Sequence, residues 1–442
     1  MSLLAAPLDS PEVGRLAGIR QSAGRRGRAV GAVLLLFVCC SLLMMPLIAL
    51  QVHRNSALSP IDEVAYTDYL YKVSHGHYII GAGEQIQGET NRELICRGLG
   101  GGLRRSNPSR CTAPLPRPSG RNTADIDPPT YYVLTYGVAR GLESLGVTDN
   151  LVTAGRLGGA AWAGSALTVI VLLCRSLGAS RLASTVAATV AGLVPGLVMQ
   201  WHYITPHAAD LTVGGLVMLA VLSWERRRVK SWALLAGALP ALVKASEVEI
   251  SLAAVLYLLI GALWRPEGRS RPDRRRLLGS LAVFAALGLG SVGWLLVRDH
   301  YALTHTQAFT FFDASSFQPH FLLDNIGQFL VPWSPGPAMG LTAVVVVWCY
   351  GTAARTTTEP GADPALRRLS LAVMTAGTFG AVVLVISNYL LQHAYYPIPV
   401  RYGFALVPVA LALGATAVNT RAALAAGAAL CALLLTQLLL LG

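Results

Sequence analysis

The chain has 442 residues, a formal charge of +12 and a mean hydropathy of +0.52; 53% of it is hydrophobic and only 13% charged. Ordinary soluble domains carry about 25% charged residues, so this composition excludes a soluble globular protein. Its apolar runs of about 20 residues point to membrane-crossing helices rather than the short alternating segments of a barrel. The positive charge falls in short clusters between those runs, which argues against a nucleic-acid surface.

Five arginines, Arg15, Arg20, Arg25, Arg26 and Arg28, precede the first apolar run, Val30 to Leu50. A cleaved signal peptide is the rival reading of this segment. The run is longer than a signal core and no small-x-small site ends it, so a retained first transmembrane helix is expected. The domain plan is a cytoplasmic tail over 1–29, a first span over 30–50, an external region over 51–152 and a helical bundle over 153–442.

Within the external region, Ile61, Val64, Ala65, Tyr69 and Val73 recur at near-helical spacing after Ser59-Pro60. This predicts an amphipathic helix along the membrane surface over 60–75. Residues 81–127 are rich in Gly, Pro, Arg and Asn and read as irregular. The segment 128–146 is helical in pattern but polar and short, so it is expected to be interfacial or re-entrant.

Further spans are expected near 153–174, 183–200, 208–224, 231–243, 249–264, 278–297, 336–353, 369–391, 401–418 and 422–441. With the first, they give an all-α polytopic bundle of about eleven spans. The arginines of the tail and of loops 225–230 and 265–276, with Arg175, Arg181, Arg355, Arg367 and Arg368, then share one side. The short loops opposite hold only Lys244, Arg298 and Arg401. The positive-inside rule makes the N terminus cytoplasmic and the C terminus and loop 51–127 external, in a plasma membrane.

Cys39, Cys40, Cys174, Cys349 and Cys431 lie in or beside apolar runs and read as inert. Cys96 and Cys111 share the external loop, where an oxidising compartment permits a disulfide.

The same arrangement puts Asp62, Glu63, Asp127, His202, His207, Asp210, Glu247, Glu249, His300, His305, Asp313, His393 and Arg401 on the external side. Two readings are open: loops are simply polar, or these groups line an external cavity. The pair Asp62-Glu63 follows Pro60 and has two readings of its own. Acids there can cap free backbone N–H groups, or one carboxylate can face a membrane-level pocket. His202 and His207 are five apart, a poor helical spacing for a metal pair, and the metal question stays unknown.

The run Pro60-Ile61-Asp62-Glu63-Val64-Ala65-Tyr66 resembles the P-x-D-E-x-A-H signature of the first external loop in certain bacterial membrane proteins. Asp127-Pro128-Pro129-Thr130-Tyr131-Tyr132 resembles their H-P-P-x-Y-Y segment. Gly155-Arg156-Leu157, then Arg175-Ser176-Leu177-Gly178, and later Arg401-Tyr402 with Pro408, are similar to motifs that follow in the same order. These proteins belong to, or lie near, the GT-C superfamily of polyprenyl-phosphate-sugar-dependent glycosyltransferases. Two departures stand out: Tyr66 and Asp127 occupy positions where the motifs have His.

The resemblance implies a GT-C-like fold and transfer of a sugar from a polyprenyl-phosphate donor to an external glycan, lipid or protein acceptor, with inversion. It implies Asp62 as general base, with Glu63 as alternate or as holder of a partner. Asp210 lies where relatives place an N-x-D element. Arg401 and Lys244 are the candidates to neutralise the leaving phosphate. Asp127, Tyr131, His202, His207, Glu247 and Tyr402 complete the expected substrate site. No cofactor is assigned; a divalent cation bridging a carboxylate and the lipid phosphate is compatible with this chemistry. The rival readings are a transporter or flippase and a non-catalytic envelope-assembly protein.

Overall fold

A computed structural model describes residues 11–227, 231–244, 248–264, 273–303, 337–358, 363–392, 400–418 and 420–440. The regular structure among them is helical, apart from three isolated β-bridges in the polar region. α1 (Pro11–Arg54) is followed by the polar region with α2 (Glu63–Ser74), α3 (Gly88–Arg97) and α4 (Thr130–Ser144). The bundle then contains α5 (Leu151–Leu157), α6 (Gly159–Ser176), α7 (Arg181–Leu193), α8 (Pro195–His202), α9 (Asp210–Arg227), α10 (Ser231–Val243) and α11 (Val248–Leu263). It is completed by α12 (Arg274–His300), α13 (Pro337–Thr358), α14 (Pro364–Gln392), α15 (Val407–Ala417) and α16 (Arg421–Leu440).

The expected count of about eleven spans is corrected. Among the described residues, six helices are long and apolar enough to cross a membrane. They are Gly27–Arg54, Leu151–Ser176, Pro206–Arg226, Arg274–His300, Pro364–Ile386 and Arg421–Leu440. A seventh is counted if α7 and α8, bent by 64° at Val194-Pro195, act as one broken span. A proline ends a helix by removing a donor and restricting the residue before it. α10, α11 and α15 have 13, 16 and 11 residues, whereas a span needs about 20. α10 and α11 keep the short lengths expected for 231–243 and 249–264, whereas the expected span 401–418 divides into a 3-10 turn and α15. The region near 336–353 forms α13, which is not among the six.

α1 packs along α6, where Gly164 meets the backbone and hydroxyl of Ser41, with no room for a side-chain carbon. α9 is central, touching α6, α10, α11 and α15. Large apolar side chains on the outer faces of α1, α12 and α16 are exposed, as expected for surfaces that face lipid. The end of α16 docks on the end of α1, where Arg54 donates to the carbonyls of Leu438 and Leu439 at 3.1 and 2.9 Å. Both chain ends of this pair therefore lie beside the polar region.

The stretch 81–127 is irregular as expected outside α3 and two 3-10 turns, and it is held in place by defined side-chain contacts. Its framework is the buried Asp68, which accepts from Gln87 N at 2.7 Å, Thr90 Oγ1 at 3.2 Å and Asn122 Nδ2 at 2.6 Å. Lys72 pairs with Asp68 and with Glu84, both at 3.0 Å. The Cys96–Cys111 disulfide, with Cα atoms 4.9 Å apart, closes the turn after α3. α3 is moored to the start of α5 by Arg97, which donates to Asn150 and Thr153 at 2.8 and 2.9 Å. These bonds join residues far apart in sequence, so composition alone could not reveal the order. The segment 128–146 forms α4 as expected, capped at its base by stacked Tyr69 and Tyr132 rings 3.9 Å apart.

Candidate functional site

A small cleft opens where α2, α8 and the 3-10 turns at 206–209 and 400–406 converge. Ser59, Ile61, Tyr66, Gln200, Tyr203 and Arg401 are among its lining residues, and His207 closes one wall. Gly214 lets α9 touch the 400–406 turn, since a side-chain carbon there would overlap the carbonyl of Ala405. This contact brings Arg401 to the cleft.

Asp62 is the only non-glycine residue with a positive φ among the described residues, at φ 62° and ψ −5°. Asp tolerates the left-handed region better than most residues, and conformations of this kind concentrate at functional sites. It occupies the N-cap position of α2, yet its side chain makes no capping bond. Instead it accepts from Arg401 Nη2 at 3.2 Å, and it remains 46% exposed.

Glu63 faces inward. Its carboxylate takes the Arg156 fork at 2.8 and 2.7 Å, and also accepts Ser59 N at 2.6 Å and Ile204 N at 3.0 Å. Arg156 spends its remaining N–H groups on the carbonyls of Asn55 and Ala57, at 2.7 and 2.8 Å. Both side chains are 1% exposed or less. This clamp ties the end of α1, the start of α2, α5 and the end of α8 into one block.

Behind the cleft lies a buried row of polar groups. Lys244 Nζ approaches His207 Nε2 at 2.6 Å, and His207 Nδ1 lies 2.8 Å from Asp210 Oδ2. Lysine only donates, so Nε2 accepts and Nδ1 carries the proton given to Asp210. Asp127 is buried beside α4 and accepts from Tyr132 Oη at 3.2 Å. Burial pushes its carboxyl up to about 6; the charges of Asp62 and Asp125 add to this, while Lys244 and the Tyr132 bond oppose it. The adjoining Asp125 is held by Arg298 at 3.0 and 2.7 Å, which fastens α12 to this corner.

The structure thus brings Arg401 and His207 to one cleft, with Asp62 bonded to Arg401 beside it and with Lys244 and Asp210 behind His207. Tyr131 is buried, and its hydroxyl accepts Thr205 N at 3.1 Å, holding the turn that precedes His207. His202 is buried at the end of α8, with Nδ1 donating to Val198 O at 3.0 Å. Trp201 is also buried, its indole donating to Ala208 O at 3.2 Å. Glu247, His305, Asp313 and His393, and the side chain of Tyr402, lie outside the described residues. Among the described residues, no group of three His, Cys, Asp or Glu is placed to hold a metal ion. Gln200 and Thr205 were not read as the cleft wall from sequence, because apolar context gives no sign of which face of α8 lies open.

No family model matches the chain, and no curated protein matches it in sequence. Among solved structures it has a weak, partial similarity to ArnT from Cupriavidus metallidurans bound to undecaprenyl phosphate. The identity is 16% and the TM-score 0.46, over 88% of this chain; the chain spans 60% of that protein's length. No residue role is taken from that likeness. The chain is a multi-pass helical membrane protein with a polar cleft at one end of its bundle.

Proposed function

We propose that this chain is a membrane glycosyltransferase that moves a sugar from a polyprenyl-phosphate donor to an acceptor hydroxyl outside the plasma membrane. The observation that carries this reading is the contrast at the acid pair. Glu63 is fully bonded in a buried clamp, whereas Asp62 is half-exposed in a left-handed conformation and bonds Arg401, a residue of the cleft wall. A carboxylate and a guanidinium at one mouth supply a proton acceptor and a phosphate ligand.

In the proposed reaction Asp62 takes the proton of the acceptor hydroxyl. The oxygen attacks the anomeric carbon from the face opposite the phosphate, and a new glycosidic bond forms with inversion. The bond from that carbon to the phosphate oxygen breaks, and its electron pair leaves with the lipid phosphate. Arg401 offsets the charge on that group, and Lys244 and Asp210 hold the His207 ring in the cleft wall. Glu63 holds the block that orients Asp62. The cytoplasmic N terminus, external C terminus and external site belong to the same reading.

The test is reconstitution in liposomes with labelled polyprenyl-phosphate sugars and a panel of external acceptors. A glycosidic product with release of lipid phosphate, both lost in Asp62→Asn, is expected. Movement of a solute across the bilayer with no covalent product from any donor would overturn the enzyme in favour of a transporter.

A further inference from the structure

The opposite end of α9 carries a second polar cluster, built differently. Asp210 and Glu225 are separated by roughly 22 Å along this helix, at 1.5 Å per residue. At that far end α9, α11, α12 and α14 converge on Glu225. It accepts from Arg276 Nε at 2.9 Å, from Arg368 Nη2 at 3.4 Å, and from Tyr257 Oη. Three guanidiniums lie over aromatic rings: Arg275 over Trp224 at 4.8 Å, Arg367 over Trp264 at 4.9 Å and Arg368 over Tyr257 at 5.5 Å.

The charges do not balance. Glu225 and Asp273 both serve Arg276, and Glu225 also meets Arg368. Arg275 donates to the Trp224 carbonyl at 3.0 Å, a neutral partner. Arg367 makes no ion pair and no side-chain hydrogen bond among the described residues, and its Nε is buried without a partner. A desolvated guanidinium N–H costs free energy until an acceptor meets it, and phosphate oxygens suit its fork.

The flank of the cluster is apolar. Trp264 is 43% exposed, and Leu263, Leu277, Leu278 and Leu281 are exposed beside the arginine-bearing helix ends. A free phosphate has no use for such a wall, whereas an acyl chain does. Tryptophan with arginine at the end of an apolar helix is also the chemistry of a headgroup-level belt.

We infer that Arg367 and Trp264 form a binding site for the headgroup of an anionic phospholipid, its acyl chain lying along Leu263 and the start of α12. The site is independent of the Asp62 cleft and of the reaction proposed there.

The experiment uses the full chain in phosphatidylcholine nanodiscs containing a minor fraction of brominated phosphatidylglycerol or, separately, brominated phosphatidylcholine. The quenching of Trp264 is read as the difference between wild type and Trp264→Phe. Quenching by the anionic lipid is expected to exceed that by the zwitterionic one about fivefold at equal mole fraction, the effect of one arginine near a charged lipid. The excess should vanish in Arg367→Gln and persist in Arg367→Lys. Equal quenching by the two lipids overturns the site, and this comparison needs no Arg367 variant. Displacement of the brominated anionic lipid by inorganic phosphate overturns the lipid assignment.

Discussion

Two ion pairs stand a single residue apart, and they do opposite things. The inner pair, Glu63 with Arg156, is buried, forked and fully bonded. The outer pair, Asp62 with Arg401, is a single bond at 3.2 Å between groups that are 46% and 17% exposed. The inner pair is framework, because a buried charge without its partner is costly. The outer pair is weak, because water reaches the half-exposed Asp62 carboxylate and screens it. Adjacent residues on a helix start point in different directions, so the fold can make one acid a strut and leave the other for chemistry.

The largest test of this contrast is Asp62→Asn. Turnover should fall by about 10²–10⁴ while thermal unfolding stays near wild type. A wild-type rate would remove Asp62 from the chemistry, and a collapse of rate confined to a folded Glu63→Gln protein would reverse the two roles.

Breaking the inner pair tests the other half. Arg156→Met leaves the buried Glu63 carboxylate without its fork and should cost about 3–5 kcal/mol of stability. The readout is the thermal unfolding of purified protein. An unchanged melting temperature would mean that the clamp is not a strut.

Asp127 sharpens the comparison, since it is buried like Glu63 but lacks a guanidinium. Its carboxyl is raised to about 6 by burial, so the folded state holds a proton that the unfolded chain has lost. Stability from this group therefore falls as pH rises from about 4 through about 6, by at most about 3 kcal/mol. Asp127→Asn should remove that slope, so the variant should gain on wild type above pH 6 and the two should converge near pH 4. Parallel melting curves across this range would show that Asp127 titrates normally.

The smallest stability effect is expected at the outer pair. Arg401→Gln should change stability by less than about 1 kcal/mol. It should nonetheless weaken binding of a polyprenyl-phosphate sugar more than that of its dephosphorylated analogue. Equal weakening of both would leave Arg401 with no role toward phosphate.

Much of this architecture was legible in the chain. Apolar runs set the helices, near-helical spacing located α2, and the acid pair with Arg401 was visible as polar residues at the ends of apolar stretches. The break at Val194-Pro195 and the 3-10 turn that replaces the first part of the expected 401–418 span were not, because hydropathy measures composition and not where a helix stops. The order within 81–127 was hidden for another reason. Asp68, Lys72, Glu84 and Asn122 look like ordinary loop residues until folding brings them together.

The sequence by itself determined that this protein is helical and membrane-embedded, since the transfer energy of its side chains depends on composition alone. It also placed two acids side by side after Pro60. Only the tertiary structure decided what each acid does. Arg156 lies 93 residues beyond Glu63 and Arg401 lies 339 beyond Asp62, and the helices that carry these arginines approach α2 from different sides. The number of bonds a carboxylate receives is fixed by those approaches, and no local pattern in the chain encodes them.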